Sequence, residues 1–162
     1  MMSKSLRSIR GFTLLELTLV ILILGVLLSL LVPQLKVPYG HYNLESAAYR
    51  MAGDIRYFAQ QTINAQSDTD TYKVNFDTSN DRYLFQKNTD VIKSVTLPVS
   101  TDLEYVNFNK NTLSFKINGA PSPLGGTVTL RDRCSGDFLY VIVAGITGRV
   151  RVDVEKPASG VE

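Results

Sequence analysis

The residues able to do chemistry in this 162-residue chain are few and scattered. There is one histidine, His41, and one cysteine, Cys134. A single imidazole provides neither a relay nor a second metal ligand, and a single thiol excludes an internal disulfide or a zinc site of several thiolates. Cys134 lies in Asp132-Arg133-Cys134-Ser135-Gly136 with no histidine pattern beside it, so it reads as a free thiol in a turn. His41 follows Pro33 and Pro38 and reads as a solvated loop residue. Asp68, Asp70, Asp77 and Asp81 are loop acids without the D-x-[DN]-x-[DN]-G spacing and distal glutamate of a calcium loop, and they read as solvated turns. No G-x-S-x-G turn, Gly-rich phosphate loop or metal-ligand pair occurs. The expectation is a protein that is not an enzyme and uses no cofactor and no metal.

Two other features place charge in a pattern. In Gly148-Arg149-Val150-Arg151 the arginines are two apart, and a strand sends residues i and i+2 to one face. Arg149 and Arg151 then project together while Val150 and Val152 face a core. Arg131 and Arg133 repeat that spacing and would extend the patch. Two to four arginines on a face bind phosphates with sequence-independent, salt-sensitive affinity. The alternative is a set of ordinary solvated arginines paired with Asp132 or Asp153. The second feature is Glu16, the one acid in the run Phe12–Val32, FTLLELTLVILILGVLLSLLV. As a helix this run is roughly 31 Å long, about the thickness of a bilayer core. A carboxylate there costs a few kcal/mol, less near an end, and calls for a positive partner.

The elements that position these residues follow from hydropathy. The leader, MMSKSLRSIRG, carries Lys4, Arg7 and Arg10 and no acid, which keeps the N-terminus cytoplasmic and the bulk of the chain outside. Pro33-Gln34-Leu35-Lys36 lacks a small-residue cleavage pattern, so a cleaved secretory signal is not expected. Beyond a polar stretch, Leu44, Ala48, Met51, Ile55, Phe58, Thr62 and Ile63 recur at helical spacing, predicting an amphipathic helix from about 44 to 66 that packs on a sheet. Arg50, Asp54, Arg56, Gln60 and Asn64 lie mostly off that stripe. From Tyr72 the period becomes two: a hairpin over 72–76 and 82–86, then strands at 92–97, 103–108, 112–117, 127–130, 138–143 and 149–154. The last two are the most apolar outside the anchor and are expected to be central strands; residues 118–126 are expected to form an irregular loop. The fold class is α+β, a long N-terminal helix with a membrane-spanning half and an amphipathic half, followed by an antiparallel β-sheet domain. The expected organisation is leader 1–11, transmembrane helix 12–33, linker and amphipathic helix 34–66, β-rich domain 67–155 and tail 156–162.

The segment Gly11-Phe12-Thr13-Leu14-Leu15-Glu16 resembles the class III signal of type IV prepilins: basic leader, Gly before Phe, Glu four residues on, and a long apolar helix. The resemblance implies that a prepilin peptidase cuts between Gly11 and Phe12 and N-methylates Phe12. It implies that Glu16 pairs with the new amine of a neighbouring subunit's Phe12 during assembly, and that Gly25 and Pro33 permit a break in the helix. A buried carboxylate paired with an ammonium is tolerated where an unpaired one is not. The implied partners are the peptidase, other pilins or pseudopilins, inner-membrane assembly proteins and membrane lipid. The implied location is the cytoplasmic (inner) membrane in a single pass, then a pilus or pseudopilus.

Gly126-Thr-Val-Thr-Leu130, Tyr140-Val-Ile-Val143 and Thr147-Gly148-Arg149-Val150-Arg151-Val152 look like the close of the GspH/FimT group of minor pseudopilins and minor pilins. Tyr57-Phe58-Ala59-Gln60-Gln61-Thr62-Ile63 is also similar, with the group's usual arginine replaced. In the FimT branch a G-R-x-R motif is associated with DNA capture, which makes DNA an alternative partner for Arg149 and Arg151, with Arg131 and Arg133 beside them. The formal charge of +2 includes three leader positives, so any DNA binding must come from a local patch on a near-neutral domain.

Overall fold

The structure is a computed structural model that describes residues 13–31, 36–65 and 70–157. Gly11, Phe12, Pro33 and Asp68 lie outside the described residues. The chain divides into two compact units, Met1–Lys36 and Val37–Glu162.

The first unit contains helix α1, Leu14–Leu31. It opens on a side-chain cap: the Glu16 backbone N–H donates to Thr13 Oγ1 at 3.2 Å. This T-x-x-E arrangement satisfies one of the orphan donors and puts a carboxylate near the positive end of the helix. The hydroxyls of Thr18 and Ser29 donate back to the carbonyls of Leu15 and Val26, which satisfies these donors on an otherwise apolar surface. Every residue from Thr13 to Ser29 is exposed. The helix runs through Gly25 without interruption, which corrects the expected break there. Glycine keeps its amide donor and costs only about 1 kcal/mol against alanine, too little to stop a helix by itself. Among the described residues no helix is long and apolar enough to cross a membrane. The 18 residues of α1 extend roughly 27 Å, short of a bilayer core.

The second unit opens with helix α2, Lys36–Ala65. It begins eight residues earlier than periodicity indicates. Pro38 falls in its first turn, where a missing N–H has no intrahelical acceptor to lose, so the proline starts the helix rather than breaking it. His41 is therefore a helix residue and not a loop residue. Leu44, Ala48, Met51, Ile55, Phe58 and Thr62 are buried on one face as their spacing predicts, whereas Ile63 is 36% exposed. Gly53 lies on the open face with nothing close to it.

Nine strands follow among the described residues: β1 Tyr72–Asp77, β2 Arg82–Lys87, β3 Asp90–Thr96, β4 Thr101–Val106, β5 Thr112–Phe115, β6 Pro121–Ser122, β7 Gly126–Asp132, β8 Phe138–Val143 and β9 Val150–Asp153. They form two antiparallel sheets rather than one, in the orders β3-β2-β1-β5-β6 and β4-β7-β8-β9. The switch falls at Pro98–Thr101, where the Thr101 N–H closes a turn on the Pro98 carbonyl at 2.8 Å. Proline has no amide for a ladder, so continuing β3 through it is unfavourable. β8 is an interior strand, as its apolar run predicts. β9 is an edge strand, which corrects the expectation that both final strands are central. Its burial pattern is that of a strand with one solvated face, Arg151 exposed and Asp153 half-buried. That pattern is shared by edge and interior strands of antiparallel sheets, so strand order and not composition decides its place. The expected 118–126 loop contributes the two-residue β6.

The core is continuous from α2 across both sheets. Phe58 drives the helix into the first sheet, with ring centroids 4.6 Å from Phe85 and 5.5 Å from Tyr72. Val128, Leu130, Val141 and Val143 supply the inner face of the second.

Candidate functional site

The β8–β9 turn sets the geometry of the arginines. Gly148 has φ +66°, and a Cβ there would run into the carbonyl oxygen of Gly119, so both the backbone conformation and the close approach require glycine. Its N–H donates to the Ala144 carbonyl, and the Ala144 N–H to the Arg149 carbonyl, each at 2.9 Å. The next residues enter β9, with Val150 buried and Arg149 and Arg151 exposed. The paired projection expected from the sequence is what the burial pattern gives.

Beside β9 lies a groove of about 470 Å³, walled on its other side by α2. From α2 come Arg56, Ala59, Gln60 and Ile63; Arg149 borders it from the β8–β9 turn and Arg151 from β9, and among the described residues no acidic side chain lines it. Arg56 is fixed in place: Nη2 and Nε donate to the Val150 carbonyl at 2.6 and 3.3 Å. Among the described residues Arg149 makes no ion pair, and Arg151 only a long one, 4.0 Å to Asp153. Exposed pairs of this kind contribute little. Arg56 was not part of the expected patch. Its helical spacing marked it as surface, and only the docking of α2 against β9 makes it a third guanidinium of the groove.

Arg131 and Arg133 do not join this patch. Arg131 is opposite Phe138 on β8 and Arg151 is opposite Ile142, four residues along the strand, or roughly 13 Å. Arg131 lies 3.5 Å from Glu104 and over the Phe138 ring. Arg133 lies 2.7 Å from Asp81 and 3.4 Å from Asp102, and the Asp81 carboxylate holds its pKa above the ordinary value. Their charge is spent on tying the β1–β2 turn, β4 and the end of β7 together.

The remaining candidates have structural partners. His41 Nδ1 lies 3.9 Å from Asp137 Oδ2, both exposed. Cys134 is exposed in the β7–β8 turn, and its N–H donates to Asp132 Oδ1 at 2.9 Å. Asp132 is fully buried and also accepts from the Ser135 hydroxyl, so it organises the turn and does not pair with an arginine. Asp77 accepts from Asn80 and Arg82, each at 2.8 Å, and these bonds, Asn80 first, hold its pKa below the usual carboxylate value. Burial, reinforced by the Asp54 carboxylate that accepts its hydroxyl at 2.9 Å, pushes the Tyr83 phenol well above its ordinary pKa. Asp54 also accepts from Lys93 at 2.7 Å. Among the described residues no group of three or more His, Cys, Asp or Glu is placed to hold a metal ion.

No protein-family model and no curated protein sequence matches the chain. Two solved structures do match by fold. The minor pseudopilin EpsH from the Type 2 Secretion System of Vibrio cholerae aligns with a TM-score of 0.54 at 13% identity, covering 69% of this chain and 97% of that one. The type IV minor pilin FimU of Pseudomonas aeruginosa also aligns with a TM-score of 0.54, at 10% identity, covering 72% and 90%. With its helix, two antiparallel sheets and these two neighbours, the chain has a pilin-like fold of the GspH/FimT type.

Proposed function

We propose that the protein is a minor pilin or pseudopilin: a structural subunit cut between Gly11 and Phe12 by a prepilin peptidase, N-methylated on Phe12, and assembled into a type IV pilus or type II secretion pseudopilus. The observation that carries this reading is α1, an apolar helix exposed from Thr13 to Ser29 with one acid at its N-terminal end. Such a surface is stable only against lipid or other apolar helices. Residues 12–33 act as the inner-membrane anchor before assembly, with the basic leader inside and the second unit outside. Glu16, already capped within its own helix, offers its carboxylate to the Phe12 amine of a neighbour. The fold neighbours support a subunit role and not a catalytic one.

The test is co-expression of the full chain with a prepilin peptidase, read by intact mass. The parent should lose roughly 1.2 kDa, the mass of its leader, and a variant with Gly11 replaced by a bulky residue should not. Equal masses for the two would sink the processing claim.

A second reading, DNA capture in a competence-type machine, keeps two of its four arginines. Arg149 and Arg151 border a groove that no acid lines among the described residues, with Arg56 added, whereas Arg131 and Arg133 are engaged elsewhere.

A further inference from the structure

β9 closes the second sheet and, among the described residues, pairs on one side only, with β8. Antiparallel ladders alternate bonded and non-bonded pairs, and the Ala144 N–H bonds the Arg149 carbonyl. The ladder bonds of β9 therefore fall on 149, 151 and 153, and the backbone groups of Val150 and Val152 point to the open edge. The position of Arg56 agrees, since its guanidinium reaches the Val150 carbonyl from that side. Arg56 blunts this one acceptor, as edge strands are commonly protected. The N–H of Val150 and both groups of Val152 remain for a strand from outside. The groove beside them is lined by the apolar Ala59 and Ile63 and by the basic Arg56, Arg149 and Arg151.

The geometry points to an extended acidic peptide segment of a partner protein, added to β9 as a further strand of the second sheet. Its backbone pairs with Val152, which gives affinity independent of sequence. Alternate carboxylates meet Arg149 and Arg151, and the intervening small apolar side chains lie over Ala59 and Ile63. Guanidinium groups bind carboxylates through paired donors, so Arg149, which among the described residues has no ion pair, and Arg151, which has only the 4.0 Å one to Asp153, select for negative charge. Nucleic acid fits less well: among the described residues no aromatic side chain lines the groove to stack a base, and a phosphodiester backbone offers no donor to the Val152 carbonyl. This assignment does not depend on processing of the leader.

The experiment is fluorescence anisotropy at low salt on the full chain in detergent micelles, with a short labelled peptide alternating glutamate and valine. Binding should weaken about tenfold or more when lysine replaces glutamate, and likewise in the double variant Arg149→Gln/Arg151→Gln. Backbone N-methylation of the peptide at one alternate set of residues should abolish binding, and at the other set should leave it, because only one set donates to β9. That comparison uses the parent protein and so is immune to misfolding of a variant. Absence of binding, or indifference to both methylation patterns, overturns strand addition. Tighter binding of a single-stranded oligodeoxynucleotide that displaces the peptide assigns the groove to nucleic acid instead. Loss of peptide binding as protein concentration rises assigns the edge to a second copy of this chain.

Discussion

The Arg56 guanidinium on α2 donates to the carbonyl oxygen of Val150 on β9, 94 residues away, at 2.6 Å. This bond joins the helix to β9, one of the two edge strands of the second sheet. Arg56→Ala removes a charge-assisted bond and exposes the edge, and its expected cost is about 1–2 kcal/mol at a site partly open to water. Thermal unfolding should show a midpoint several degrees lower, with Arg56→Lys intermediate. An unchanged midpoint for Arg56→Ala would mean that the bond contributes nothing net.

Gly148→Ala tests the turn that launches β9. Positive φ and contact with the Gly119 carbonyl act together, so a loss of roughly 1–3 kcal/mol is expected. Gly53→Ala is the control: it sits in a helix with open space around it and should stabilise by about 0.5–1 kcal/mol. Denaturant titration of both variants gives the sign of each. Equal effects would remove the argument from backbone geometry.

The pH dependence has two limbs of opposite sign. Tyr83 has a raised pKa in the folded chain, so its neutral phenol contributes stability that is fully present below its ordinary value of about 10 and is lost as pH rises beyond it. Tyr83→Phe should flatten the alkaline limb of a stability–pH curve. Asp77 has a lowered pKa, so its contribution is present above the ordinary carboxylate value and is lost as pH falls through the lower folded one. Asp77→Asn should flatten the acid limb and leave the alkaline limb alone. Urea midpoints across both ranges check the assignment, and a Tyr83→Phe effect confined to acid would reverse it.

The two arginine pairs should separate cleanly. Arg133→Gln releases Asp81 and Asp102 and should lower the melting midpoint without changing the binding of any anionic probe to the groove. Arg149→Gln with Arg151→Gln should do the reverse, leaving the stability within about 0.5 kcal/mol of the parent, as surface substitutions usually do. A gel shift with DNA at low and moderate salt, run on all three proteins, completes the comparison. DNA binding lost in Arg133→Gln but kept in the double variant would overturn the placement of the basic site.

Glu16→Ala should leave peptidase cleavage intact and weaken assembly, read as the fraction of chain in sheared filaments or crosslinked to partner pilins. Thr13→Ala removes only the cap and should have a much smaller effect on assembly, about 1 kcal/mol on the local helix. Similar assembly defects in both would locate the importance of Glu16 in starting its own helix and not in contacting a neighbour.

Much of this protein is written in local pattern. The apolar run with one acid, the helical stripe from Leu44 to Thr62, the alternation in β1 and β2 and the apolar run of β8 each concern neighbours in sequence, and each reappears in the structure as an element. The absence of a His, Cys or nucleophile constellation from the chain is likewise a matter of residue type alone. Gly148-Arg149-Val150-Arg151 also reads correctly, because the facing of residues i and i+2 is a property of any strand. What local pattern does not carry is which strand meets which. The switch of sheets at Pro98, the edge position of β9 and the diversion of Arg131 and Arg133 to Glu104, Asp81 and Asp102 depend on contacts tens of residues apart. So does the groove, because a helix period marks Arg56 as surface without saying what lies opposite. Side-chain direction is set by backbone geometry within a few residues. Whether a charge is left available or neutralised is set by long-range packing, and only the tertiary structure decides that.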